Sequence, residues 1–464
     1  MKSAKSIKKL TFLVWISMAK LSRRQLLFLV IGLVLLLVVS LIVLYQAGVL
    51  TQGSARVLWQ RDLQNFATGI TAADGKVYTI DIWGNVNCYD SQSGKSIWSG
   101  SIGAYWGAGL AVSENNVYGG KASAEVGALD KVTGEFQWSF QVPAGSQWTK
   151  RAPADITVAD GRVFATADGV GVHNAVTGEL LWEYPDYSNL SEPYTWWVRA
   201  YPLEDNLVYA ESGGPSGVHT YRLDPDNGNV LWRVNGTFFS GRPVAYQGQV
   251  IVQIYTVVEE NYSQKMEVVS LNESTGSRLW SYDVRAEIYQ PTFTYGDLLF
   301  FGASDGNFYA LNLTNGTLEW KTRVDSQNLL GIVNPDNSLK VFPIQVDPQN
   351  ARVFYSFTVT EPLGTTSADK HDRLTGIVYS LDLATGDIIW MRQIEDSGVF
   401  YDTPVGLVVN KDTVFLTENY ALWIFSASTG NVLSNQHFDH YILPPVVSDD
   451  KVFVAADLYL RAYG

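Results

Sequence analysis

Along most of this chain, short apolar stretches alternate with polar turns at intervals of roughly ten residues, a rhythm of strands rather than helices. Leu381 to Trp390, reading L-D-L-A-T-G-D-I-I-W, shows the unit most plainly. An alternating strand runs into a tight turn at Thr385-Gly386 and a second apolar strand ends in Trp390, which predicts a β-hairpin. The same glycine-to-tryptophan spacing recurs in Gly94/Trp98, Gly134/Trp138, Gly178/Trp182, Gly228/Trp232, Gly276/Trp280 and Gly316/Trp320. Before each hairpin comes another strand pair joined by a polar turn, as in Gly69 to Asp81 and Val244 to Tyr255. Four strands per repeat predict the blades of an all-β propeller.

Counting second strands (Val77-Tyr78, Val117-Tyr118, Val163-Phe164, Val208-Tyr209, Val250-Ile251, Leu298-Leu299, Val353-Phe354, Val414-Phe415, Val452-Phe453) gives nine candidate units. The hairpin at Ser428-Thr429-Gly430 has Ser434 where a Trp is expected, and Leu460 to Gly464 supply only the third strand of the last unit. Val57-Leu58-Trp59 is a tryptophan strand without a hairpin partner. It is expected to complete the C-terminal unit, so that N- and C-terminal strands close the ring and leave no sheet edge exposed. Trp59, Trp98, Trp138, Trp182, Trp232, Trp280, Trp320 and Trp390 are expected to be structural docking residues, burying a large ring and aiming an indole N–H at neighbouring backbone.

Ala128-Leu129-Asp130 with Thr133-Gly134 and Trp138, Ala310-Leu311-Asn312 with Gly316 and Trp320, and Leu381-Asp382 with Thr385-Gly386 and Trp390 carry a likeness to a known pattern, A-x-D-x-x-T-G-x-x-x-W. From about residue 55 to 464 the chain resembles the quinoprotein, or PQQ-like, β-propeller family with its tryptophan-docking motif. The resemblance implies eight blades, so a count of nine means an unusual ring or one unit that is not a blade, with residues 321 to 376 as the expected irregularity. It also implies two kinds of function. Alcohol and sugar dehydrogenases of the family hold pyrroloquinoline quinone with Ca²⁺, many with a vicinal disulfide. Others, such as the scaffold lipoprotein of the bacterial outer-membrane protein assembly machinery, keep the propeller without the cofactor. The single cysteine, Cys88, excludes a vicinal disulfide, and no cofactor-binding segment of the dehydrogenases can be carried over. The chain looks more like the non-enzymatic members, with no cofactor expected and PQQ with calcium as the alternative.

The N-terminus reads differently. Residues 1–25 hold seven Lys and Arg and no acid, and 26–46 are uncharged and long enough to span a bilayer. The charge asymmetry places the N-terminus in the cytoplasm. The expectation is therefore a basic cytoplasmic segment (1–25), a single-pass transmembrane helix (26–46), a linker (47–54) and an extracytoplasmic propeller (55–464) on the cell membrane, with a cleaved signal peptide as the alternative to a retained anchor. Removing those seven cations from 33 leaves 26 Lys and Arg against 46 Asp and Glu, a balance of −20 that disfavours nucleic acid. Asn189, Asn235, Asn261, Asn272, Asn312 and Asn315 stand in N-x-S/T sequons, candidate glycosylation positions on an exported surface.

Neither a Ser/His/Asp order nor a phosphate loop nor a metal-ligand spacing appears, and the five histidines are scattered. Cys88, in an alternating strand, reads as a packed residue. What remains is aromatic: Phe66, Trp106, Trp148, Trp197, Phe239, Tyr289, Tyr401 and Tyr441 recur where each fourth strand crosses to the next unit. With Lys150, Arg151, Arg199 and Arg242 nearby, these residues form a candidate collar for a ligand or partner, or else wedge between blades. Val257 to Lys265 and Glu361 to Leu374 read as insertions on the same face. The function expected is a protein-binding or assembly scaffold for envelope or membrane proteins, with a PQQ-dependent dehydrogenase or a glycan-binding surface protein as alternatives.

Overall fold

The computed structural model describes residues 56–464 apart from 104–106, 122–124, 143–154, 167–168, 185–197, 203–207, 215–216, 236–242, 259–262, 287, 289–291, 304, 324–338, 363–371, 397–405, 419 and 441. The described residues fall in one unit, Ala55–Gly464. The basic segment, the expected membrane span and the linker lie outside them. Among the described residues no helix is long and apolar enough to cross a membrane.

Every regular element described is a strand, and the strands form nine four-stranded antiparallel sheets, one more than the eight implied by the family resemblance. In chain order they are sheet 1 (67–101), sheet 2 (107–141), sheet 3 (155–184), sheet 4 (198–235), sheet 5 (244–283), sheet 6 (293–323), sheet 7 (339–396) and sheet 8 (406–437). Sheet 9 joins the three strands of 446–463 to Val57–Asp62, which pairs antiparallel with Tyr459–Tyr463. Where burial is described, the second and third strands are largely buried, as in Lys76–Asp81, whereas the fourth, such as Ser96–Ser101, shows an exposed side. Apolar side chains therefore meet between successive sheets. Phe308, Trp320, Tyr355 and Tyr379 pack between sheets 6 and 7, and Phe354, Trp390, Val414 and Phe425 between sheets 7 and 8.

The expectation that 321–376 holds a unit that is not a blade is corrected in its described part, where the strands complete a four-stranded sheet whose first pair slips register between Val341 and Ile344; residues 324–338 and 363–371 lie outside the described residues. Leu339–Asp347, Arg352–Pro362, Asp372–Asp382 and Ile388–Asp396 form one four-stranded sheet, and the wide motif spacing comes partly from the length of these strands. The insertions read at Val257 to Lys265 and Glu361 to Leu374 are likewise strand extensions in part, since Val257 pairs with Gln264 and Glu361 with Arg373.

All eight described outer hairpins share one device. The ladder slips by one residue just before the turn, at Ala128/Leu129, Ala310/Leu311 and Ser380/Leu381 for example, so that each tryptophan faces a set partner: Trp138 opposite Ala128, Trp320 opposite Ala310, Trp390 opposite Ser380. The turn follows from its residues. Asp130 Oδ1 accepts the backbone N–H groups of Val132 and Thr133 at 2.8 and 2.7 Å, and Gly134 then takes φ +76°, a conformation that suits glycine.

Candidate functional site

The tryptophans lie at the junctions between sheets. Trp98 Nε1 donates to Lys131 O at 3.0 Å, Trp138 to Val176 O at 2.9 Å, Trp182 to Pro225 O at 2.8 Å and Trp232 to Glu273 O at 2.7 Å. Trp280 donates to Leu313 O, Trp320 to Leu383 O, Trp390 to Ala427 O and Trp59 to Ser91 O. Each bond runs from a fourth strand to the outer turn of the following sheet, and Trp59 carries the series from sheet 9 to sheet 1. The same indoles rest on the turn glycines, Trp98 on Gly134 and Trp320 on Gly386. Three acceptors are shared with arginine: Pro225 O with Arg162, Glu273 O with Arg222 and Ala427 O with Arg352. A carbonyl has two lone pairs, and here both are used.

The junction from sheet 8 to sheet 9 has no tryptophan, and its outer strands explain why. Sheet 9 is built from strands distant in the chain, so it has no outer turn to receive an indole, and Ser434 stands opposite Ile424 instead. Arg461 and Tyr463 hold Gln436 in its place, at 2.7 and 3.4 Å, with Phe415 edge-on to Tyr463.

Of the expected collar, Trp106, Trp148, Lys150, Arg151, Trp197, Phe239, Arg242, Tyr289, Tyr401 and Tyr441 lie outside the described residues. Arg199 is described in its backbone, opposite Glu211. Phe66 packs on His440, with ring centres 4.4 Å apart. Among the sequons, Asn272 and Asn312 use their side-chain oxygens to cap their own turns, and Asn315 caps Thr317. Asn235 ends a strand, and Asn189 and Asn261 lie outside the described residues.

The geometry brings together another set of residues at the opposite ends of the strands. A cavity of about 590 Å³ opens between the first turns of sheets 1, 2 and 3 (Ala73-Asp74, Val112 to Asn115, Val158 to Gly161), with Lys131, Ala175 and Val176 from the outer turns. Lys131 is buried. Its Nζ donates to Ser113 O at 2.8 Å and pairs with the Asp74 carboxylate, tying sheet 2 to sheet 1. The Lys131 ammonium holds the Asp74 carboxyl below the usual carboxylate range. Behind the wall, Ala175 O accepts from Tyr118 Oη at 2.6 Å and Asn116 Nδ2 at 2.8 Å, and burial raises the Tyr118 phenol. Val112, Val158 and Val176 give apolar wall. Glu114 and Asp160 also line the cavity and form no ion pair among the described residues.

Asp74-Gly75 and Asp160-Gly161 form tight turns in which all four residues have positive φ. The missed signal was the recurrence of an acid, Asp74, Glu114 and Asp160, at one turn position in three successive repeats. Among the described residues no three His, Cys, Asp or Glu side chains converge as metal ligands. Cys88 is buried and its thiol is pushed up to about 11 by burial.

A family profile described as outer membrane protein assembly factor BamB matches residues 83–214 and 216–462. The outer membrane protein assembly factor BamB of Shewanella oneidensis is 23% identical over 351 residues, 70% of this chain and 76% of that protein. Among solved structures, the computationally designed Ika8 protein aligns over 88% of this chain and 99% of its own, with a TM-score of 0.52 and 12% identity. A quinohemoprotein alcohol dehydrogenase from Pseudomonas putida HK5 aligns over 89% of this chain and 76% of its own, with a TM-score of 0.50 and 14% identity. Such identities speak for fold alone, and the fold is a PQQ-like β-propeller.

Proposed function

This chain belongs to the family described as outer membrane protein assembly factor BamB, and we propose from that membership that it is a protein-binding assembly scaffold held at a membrane. In this reading the nine sheets are blades of one ring closed by Val57–Asp62, the propeller is extracytoplasmic, and the segment 26–46 anchors it. The observation that carries the reading is the repeated clip of an indole on the next outer turn. Repeated clips make a stiff platform from which the connecting segments can project, an arrangement suited to holding partners in place. The work proposed needs no redox cofactor.

The test uses the full chain in its own membrane, with a photo-crosslinking amino acid at Trp106, Trp148 or Trp197. Discrete adducts with envelope or membrane proteins are expected. The same protein, given pyrroloquinoline quinone, Ca²⁺, alcohols or sugars and an artificial electron acceptor, should show no turnover. Turnover, or saturable glycan binding without protein adducts, would overturn the scaffold reading.

A further inference from the structure

We propose that the cavity between the first turns of sheets 1, 2 and 3 is a docking site for a basic segment of a partner polypeptide, receiving a Lys or Arg side chain flanked by apolar residues. This deepens the scaffold reading and rests on it. The cavity's volume, about 590 Å³, falls in the range of sites that enclose a ligand, and three structural units converge on it. Its chemistry is two-sided. Val112, Val158 and Val176 offer methyl groups, and Val176 is 55% exposed, a surface for the aliphatic stem of a long cationic side chain. Glu114 and Asp160 offer carboxylates with no ion-pair partner among the described residues.

Lys131, the cation lining the site, does not reverse this field. Its charge is matched by Asp74, and its ammonium is also held by Ser113 O, so the carboxylates of Glu114 and Asp160 remain in excess. An anionic ligand would meet net repulsion, and a metal ion finds no cluster of ligands among the described residues. The same end of the sheets also carries Asp90 and Asp130 on neighbouring turns, whereas Asp450 pairs with Lys411 and Asp226 with Arg162, so the excess of negative charge is local to the cavity. A local excess of one sign steers an oppositely charged partner toward it and sharpens the dependence on salt.

The experiment is fluorescence anisotropy with the full chain in lipid nanodiscs and a labelled peptide of mixed Lys, Arg and Leu residues. A peptide with Glu in place of Lys and Arg is the control. Saturable, salt-sensitive binding of the basic peptide is expected, with no binding of the acidic one. The double variant Glu114→Gln, Asp160→Asn should weaken binding about tenfold or more. Asn tolerates the positive φ at position 160, so the thermal transition should stay in place. Equal binding by the variant, equal binding of the acidic peptide, or full competition by free spermidine at the peptide's own affinity would overturn the proposal. If the peptide fails while membrane adducts from the collar persist, the cavity proposal falls and the scaffold reading stands. If the wild type gives neither, both fall.

Discussion

The indole of Trp98 lies so close to Gly134 that a methyl group on that α-carbon would sit 2.5 Å from Cε3. Trp138 with Gly178, Trp182 with Gly228, Trp280 with Gly316 and Trp390 with Gly430 repeat the contact. The turn glycine therefore has two duties: it adopts a left-handed conformation, and it leaves a flat surface for the indole of the preceding sheet. This is why glycine and tryptophan recur together in one chain although each contact joins different repeats.

Gly134→Ala should destabilise the protein by about 3 kcal/mol, combining the left-handed penalty with overpacking. Gly161 is the control, because it has φ +71° and an added methyl carbon there would meet no described atom within 4 Å. Gly161→Ala should cost only about 1–2 kcal/mol. Urea denaturation of the two variants measures the difference. Equal losses would show that the indole contact adds nothing.

Cys88 should resist alkylation. Its thiol is buried and pushed up to about 11, so the thiolate needed for reaction is scarce at about pH 8. Iodoacetamide should label it only in denaturant, as read by mass spectrometry, and rapid labelling of the folded protein would contradict the packing described.

His173 sets a pH dependence. It stacks on Phe140, its Nδ1 bonds to Gly178 O at 3.0 Å, and its buried Nε2 has no hydrogen-bond partner among the described residues. Burial lowers its proton affinity below the ordinary imidazole value of about 6.5. The unfolded chain then binds a proton that the folded chain refuses, so stability is present above about pH 6.5 and falls as pH drops below it. His173→Gln should flatten that part of the stability profile, and an unchanged slope would assign it to other groups.

Much of the architecture could be read from residues. The turn chemistry of Asp130 to Gly134, the docking role of Trp98 and the return of Val57 to Trp59 to the last unit follow from local pattern and repeat spacing. The four-stranded sheet at 339–396 could not, because strand lengthening looks like insertion when only motif spacing is counted. The meaning of Ser434 was hidden too: its missing tryptophan reflects a turn absent from a different sheet. The cavity was obscure because its carboxylates sit on residues that turn geometry already explains, and only the juxtaposition of three sheets makes them one wall.

Ring closure is the claim on which the scaffold reading depends. Asp62 and Tyr459 are paired across the strands that join the two ends of the sheet array. Neighbouring positions on paired strands lie within disulfide reach. In full-length protein carrying Cys88→Ala, Asp62→Cys and Tyr459→Cys, mild oxidation should give an intramolecular disulfide, read by non-reducing electrophoresis and peptide mass mapping, and a higher Tm than the reduced form. Failure to form the bond, or formation between molecules alone, would contradict a ring closed by these strands.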